Sequence, residues 1–243
     1  MKKRSPFRKF LIIVTITIVS LSLIHYLVFP QQTRSMLIRY SSFKKEEYLY
    51  YNSKTPAQNV AIVQSLIKQA SDRNQRFWGG LLSQSQFIYC QRADDFKTYG
   101  SSYAVPAVAH NKLGTWIVIG EEGVETDIIA HEMMHAELYA RIGFFKLNFN
   151  IPTWFDEGLA MLSDYRNYYS EDTLKALSDN FKNLPDLKTL ETGAQFNSGS
   201  KNKIMLNYMT AAHEIRKWYT KEKLERFIKA INEGKSFEEA YSQ

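Results

Sequence analysis

Two histidines, His131 and His135, constrain this chain more than any other feature. They lie in His131-Glu132-Met133-Met134-His135, inside the stretch DIIAHEMMHAELYARIGFFKLNFNIPTWFDEGLA that runs from residue 127 to 160. Ile128, Ile129, Met133, Met134 and Leu138 recur at helical spacing, which predicts a helix ending near Gly143. At about 100° per residue the two imidazoles leave one face of that helix, about 6 Å apart in rise. They can therefore bind one metal ion, while Glu132 is set to reach a water on that ion. This is the mechanical content of an HExxH sequence: two zinc ligands and a general base. A catalytic zinc site takes a third protein ligand and leaves a position for water. Glu157, in Trp154-Phe155-Asp156-Glu157-Gly158-Leu159-Ala160, is the candidate. Residues 136–156 leave room for a loop through Asn148 to Asn150 and a second helix after Pro152.

HExxH followed by W-x-x-E-G-x-A resembles the gluzincin metallopeptidases of the zincin fold. These include the aminopeptidase N family and smaller peptidase-MA-like proteins. The resemblance covers roughly residues 100 to 240. It implies one Zn²⁺ per chain, with His131, His135 and Glu157 as ligands and Glu132 as catalytic base. It also implies a tyrosine donor for the oxyanion, and Tyr208, in Asn207-Tyr208-Met209-Thr210-Ala211-Ala212, is similar in position and context. The fold implied is α+β: a small sheet, the HExxH helix and a helical C-terminal half. An edge strand of that sheet borders the cleft in zincins, and Thr115 to Ile119 is the candidate. Leu138 and Arg141 stand where metzincins carry glycine and histidine, and Met161 stands where thermolysin-like enzymes carry aspartate. No Gly-x-Met-Glu-Asn sequence precedes the histidines. Asp127, Asp156 and Asp164 are all candidates to orient a ligating histidine.

Charge is concentrated at one end. The 243 residues carry a formal net charge of +6, but Lys2, Lys3, Arg4, Arg8 and Lys9 account for five of those charges. The remainder is nearly neutral, which argues against a nucleic-acid partner. Residues 10–29, FLIIVTITIVSLSLIHYLVF, are long enough at helical rise to cross the roughly 30 Å of a bilayer core. The bulky His25-Tyr26-Leu27-Val28-Phe29-Pro30 end predicts an uncleaved signal-anchor. The basic flank predicts a cytoplasmic N-terminus, with the rest outside the cell membrane. Four segments follow: 1–9 a basic flank, 10–29 the anchor, 30–54 a juxtamembrane segment and 55–243 a zincin-like domain. The single Cys90 excludes an intramolecular disulfide and a thiolate cluster.

Within the domain, Thr55-Pro56 predicts the start of a helix that ends near Gly79-Gly80. Phe87 to Cys90, Tyr103 to Ala109 and Thr115 to Ile119 predict short strands. His110 is a loop histidine or lines the cleft. Ser170 predicts a helix cap, with the helix running to about Phe181. Residues 201–233 predict two helices broken near Thr220, and His213 on the first is a structural histidine. Ser236-Phe237-Glu238-Glu239 is a capping box.

The function expected is hydrolysis of a peptide or protein substrate by a zinc metallopeptidase held in a lipid bilayer through residues 10–29. The alternative is a catalytically silent zincin-fold binding module with the same anchor. The glutamate inside HExxH counts against that alternative, because a silent module needs no base.

Overall fold

The computed structural model describes residues 6–100, 108–111 and 115–243. Among these, α1 (Pro6–Val28) and α2 (Pro30–Met36) precede a hairpin of β1 (Phe43–Glu46) and β2 (Leu49–Asn52). Then come α3 (Ala57–Trp78), β3 (Gln86–Cys90), α4 (Ala93–Tyr99), β4 (Val108–Asn111) and β5 (Trp116–Gly120). The rest is helical: α5 (Thr126–Ile142), α6 (Phe144–Asn150), α7 (Thr153–Ala160), α8 (Glu171–Leu177), α9 (Gly193–Phe196), α10 (Lys201–Trp218), α11 (Lys221–Asn232) and α12 (Phe237–Tyr241). The protein is thus mixed α+β and mostly helical.

The five strands form one sheet in the order β1-β2-β3-β5-β4. β2, β3 and β5 run parallel, and β1 and β4 are antiparallel edges. Alternation along the strands sorts the side chains onto two faces. Leu49, Tyr51, Phe87, Tyr89, Ile117 and Ile119 bury one face against α3 and α5. Tyr50, Ile88, Cys90 and Val118 bury the other against Ile38 and Phe96. Both faces are covered, so the interior strands read as continuous apolar runs rather than alternating ones.

That rule corrects the expected edge. Thr115 to Ile119 falls largely on β5, which lies between β3 and β4. Ile117, Val118 and Ile119 are all buried, as an interior strand requires. The edge is β4, shorter and more polar. It supplies part of the expected Tyr103–Ala109 strand, whose residues 103–107 lie outside those described, as do residues 112–114 of the following turn. The side chain of His110 in β4 lies outside them too, and so do Lys2, Lys3 and Arg4.

Other boundaries shift for local reasons. Pro56 takes the N-cap of α3 and Thr55 makes no side-chain cap. Gly79, at φ 71°, ends that helix in the left-handed region. Residues 144–150, expected as part of a loop, form α6 instead. Gly143 at φ 82° ends α5, and the next residues contain no breaker and bury Leu147. α8 starts at the Ser170 cap but stops at Leu177, because Asp179, Asn180 and Phe181 all have positive φ. The hairpin β1–β2 lies within the expected juxtamembrane segment yet joins the sheet. The break at Thr220 and the Ser236 capping box are as expected.

The C-terminal half packs as helices around Phe155, Trp218 and Phe227, with Trp154, Phe237 and Tyr241 in ring contact. Each large side chain fully buried there is worth about 1.5–3 kcal/mol. α5 is the wall between the halves. Ile129, Met133 and Ala136 face the sheet cluster, and Met134, Leu138 and Ile142 face the helical one. Outside both lies α1, whose Phe7–Val28 stretch of 22 residues is long and apolar enough to span a membrane and has none of its tested window buried.

Candidate metal centre

The wall helix α5 carries His131 and His135 on the side that continues as Leu138 and Ile142, so both imidazoles point toward the helical half. α5 is fixed at this height by buried polar ties. Asn74 of α3 donates to the carbonyl of Ala130 (2.8 Å), and its own side-chain oxygen accepts from Ser163. Trp78 sends its indole N–H to Met134 Sδ (3.1 Å). Glu137, also buried, accepts from the backbone N–H groups of Leu82 and Ser83. These bonds satisfy groups that would otherwise be costly to bury.

Glu157 arrives on α7. The N–H groups of Thr153 and Trp154 donate to the carbonyls of Glu191 and Leu190 (2.8 and 3.2 Å), while Trp154 and Phe155 sink into the helical core. Gly158 then allows α7 to press on α10. A β-carbon at this position would stand 2.6 Å from the carbonyl oxygen of Ala211 and 2.7 Å from Ile215. The glycine in W-x-x-E-G-x-A is therefore a contact residue between helices. It lets the preceding glutamate lie deep against α5.

Three atoms converge as a result. His131 Nε2 and His135 Nε2 are 3.2 Å apart, and Glu157 Oε2 is 3.3 Å from the first and 3.4 Å from the second. Both histidines are buried, and Glu157 Oε2 is a buried oxygen with no hydrogen-bond partner. This group could hold a metal ion. Beside Asp156 and Glu157 a cavity of about 330 Å³ opens between α6, α7 and α9.

The surrounding charges settle which ring nitrogens face inward. His135 Nδ1 lies 2.7 Å from Asp156 Oδ1, so Nε2 is the ring nitrogen turned toward the centre. His131 Nδ1 has no hydrogen-bond partner, and the nearest acid is Asp164 Oδ2 at 3.9 Å. Asp164 is itself buried and gripped by Arg166, whose Nε lies 2.8 and 3.0 Å from its two oxygens. Asp127, the third candidate, pairs with Arg73 instead (2.5 Å).

Burial drives the acid–base balance without a cation. Desolvation pushes the Glu157 carboxyl up, but His135 and His131 outweigh it and hold Glu157 well below the usual carboxylate range. Desolvation likewise pulls His135 down, and Asp156 and Glu157 outweigh it, so His135 sits well above an ordinary histidine. Glu132 is lifted by burial, against the pull of the two histidines. Burial, followed by the nearby Glu157 and Glu132, raises Tyr208 well above its ordinary value. Its phenol therefore stays protonated and remains a donor.

The structure brings all five expected residues to one place. The Tyr208 ring is 6.2 Å from that of His131, with Phe196 and Tyr169 on its other sides. His213 lies apart, stacked on Phe181 and bonded to Glu171 (2.5 Å). What the sequence did not single out is Arg166. Nothing in its spacing ties it to a histidine 35 positions earlier.

The fold and site thus define a mixed α+β protein with a buried two-histidine, one-carboxylate centre on facing helices. Against known proteins, the chain matches no family model, no curated protein and no solved structure.

Proposed function

We propose that this chain is a membrane-anchored, zinc-dependent metallopeptidase with a zincin-like fold of gluzincin type. The observation that carries the reading is the triangle of 3.2, 3.3 and 3.4 Å between two ring nitrogens and a carboxylate oxygen. Donors about 2.1 Å from one ion at tetrahedral angles stand about 3.4 Å apart. A charge-assisted hydrogen bond between these groups would instead close to about 2.7–2.9 Å. Histidine and carboxylate donors suit zinc, and the unpartnered Glu157 oxygen gives the ion a negative ligand.

Bound Zn²⁺ supplies Lewis-acid polarisation of a carbonyl and a lowered pKa for water. Glu132 takes the proton of the attacking water and delivers it to the leaving amine; burial makes it a stronger base than a free carboxylate. Tyr208, kept protonated, donates to the oxyanion as the carbonyl becomes tetrahedral. Asp156 holds His135 in its tautomer. The antiparallel edge β4 is the strand against which an extended peptide substrate would pair. The apolar α1 anchors the chain, with the basic flank on the cytoplasmic side and the catalytic domain beyond the membrane.

The test is Glu132→Gln in the full chain. Peptide hydrolysis should fall by at least about 10²-fold, with metal content unchanged. Equal turnover by the variant would remove Glu132 as base. A metal-loaded parent that cleaves nothing in a broad peptide library would favour the anchored binding module.

A further inference from the structure

Immediately beyond α1 the chain does not become a loose stalk. The N–H of Phe29 donates to His25 O (2.8 Å), the N–H of Thr33 donates to Phe29 O (3.1 Å), and Thr33 Oγ1 pairs with His25 Nδ1 (2.8 Å). These bonds tie α2 to the end of α1. α2 is tied in turn to the folded domain. Ser35 Oγ donates to the carbonyl of Tyr99 (2.6 Å), and Ile38 is fully buried against the outer face of the sheet. With residues 35 and 38 inward, helical spacing turns 36, 37, 39 and 40 outward. Met36, Leu37 and Tyr40 are exposed by 40, 49 and 72 %. Arg39 lies over the Tyr40 ring at 4.7 Å.

Up to the hairpin turn, where Glu46 and Glu47 follow, the charge of this stretch has one sign. Residues 30–45 contain Arg34, Arg39, Lys44 and Lys45 and no acid. The neighbouring α4 with its N-cap adds no net charge, since Arg92 and Lys97 offset Asp94 and Asp95. Lysines on β1 also discourage pairing at a sheet edge. That role does not explain the exposed Met36, Leu37 and Tyr40. Apolar and aromatic side chains ringed by Lys and Arg are the composition of a surface that lies in a headgroup layer. Position agrees: only Phe29 separates α2 from α1, and Met36 is no more than about 12 Å of helical rise beyond Val28.

We infer that the surface formed by α2 and residues 37–45 docks on the anionic headgroups of the bilayer that α1 enters, holding the catalytic domain down against the membrane. This rests on the reading of α1 as a membrane span. Leu37, Met36 and Tyr40 enter the interface, and Arg34, Arg39 and Lys45, which lies over Tyr50 on the same sheet face as Ile38, meet lipid phosphates. The domain is thereby oriented by its fold, and its substrates are polypeptides presented close to the membrane surface.

Cys90 is the only cysteine and is fully buried, so an introduced cysteine can be labelled alone. We would attach a fluorophore in three variants of the full chain: Leu21→Cys in α1, Ser42→Cys beside the patch and Leu177→Cys on α8. Each is placed in nanodiscs of phosphatidylcholine, with or without phosphatidylglycerol, that carry a spin-labelled quenching lipid. The Leu21 label should be quenched in both. The Ser42 label should be quenched at least twofold more strongly with phosphatidylglycerol, and Arg39→Glu with Lys45→Glu or high salt should abolish that gain. The Leu177 label should stay bright. A Ser42 label as bright as the Leu177 label, with Leu21 quenched, would overturn the docking surface. Equal Ser42 quenching with and without phosphatidylglycerol would overturn anionic lipid as its partner. A bright Leu21 label would overturn the membrane span and the proposal with it.

Discussion

Asp156 and Asp164 divide the work of orienting the two histidines unequally. Asp156 is in direct contact with His135, whereas Asp164 stands 3.9 Å from His131 and is committed to Arg166. Loss of a carboxylate behind a ligating histidine typically weakens metal binding 10–100-fold. Asp156→Ala should fall in that range by competition with a chelator. Asp164→Ala should cost less, and Arg166→Ala should act in the same direction by releasing Asp164. If Asp164→Ala proves worse than Asp156→Ala, the assignment by distance is wrong. The proton on His135 gives a second prediction. Its pKa is raised in the metal-free site by Asp156 and Glu157, so at lower pH a proton increasingly occupies the position an ion needs. Metal affinity should therefore rise with pH through the ordinary histidine range and beyond it, levelling off only above the raised value of His135. Affinity flat over that range would contradict the coupling.

At the scale of elements, the close approach of α7 to α10 sets where Glu157 stands. Gly158→Ala would force a β-carbon into the carbonyl of Ala211, an overpacking that costs about 1–3 kcal/mol. The variant should melt lower than the parent and also bind metal more weakly, because α7 must move off α10 and carries Glu157 with it. Unchanged melting and affinity would mean that α7 has room to spare. Elements were legible in the sequence where local signals agreed with packing. α5 and α7 were bounded by Gly143 and Pro152; helical spacing paired His131 with His135, and the need for a third ligand, with the W-x-x-E-G-x-A resemblance, pointed to Glu157. Legibility failed where a long-range contact decided. The buried Leu147 turned the expected loop at Asn148 into α6, and pairing with β4 moved β5 from the edge to the interior. Arg166 was invisible because its role depends on a turn that brings Asp164 back toward α5.

For the whole molecule, the centre joins two halves. His131 and His135 belong to the wall helix shared with the sheet, and Glu157 belongs to the helical half. An ion bound there ties the halves together and stabilises the folded chain by about 2.7 kcal/mol at a hundred times its Kd. For a domain of this size that is a rise in Tm of about 5–10 °C, reversed by a chelator. A melt insensitive to both zinc and chelator would leave the triangle as an internal ion pair. The most direct test is metal content of the purified full chain beside Glu157→Ala, each prepared with zinc in excess and then desalted. The account predicts one zinc per chain in the parent and at least a tenfold loss of affinity in the variant. A parent without zinc, or a variant that retains it as tightly as the parent, would contradict a metal centre built from His131, His135 and Glu157.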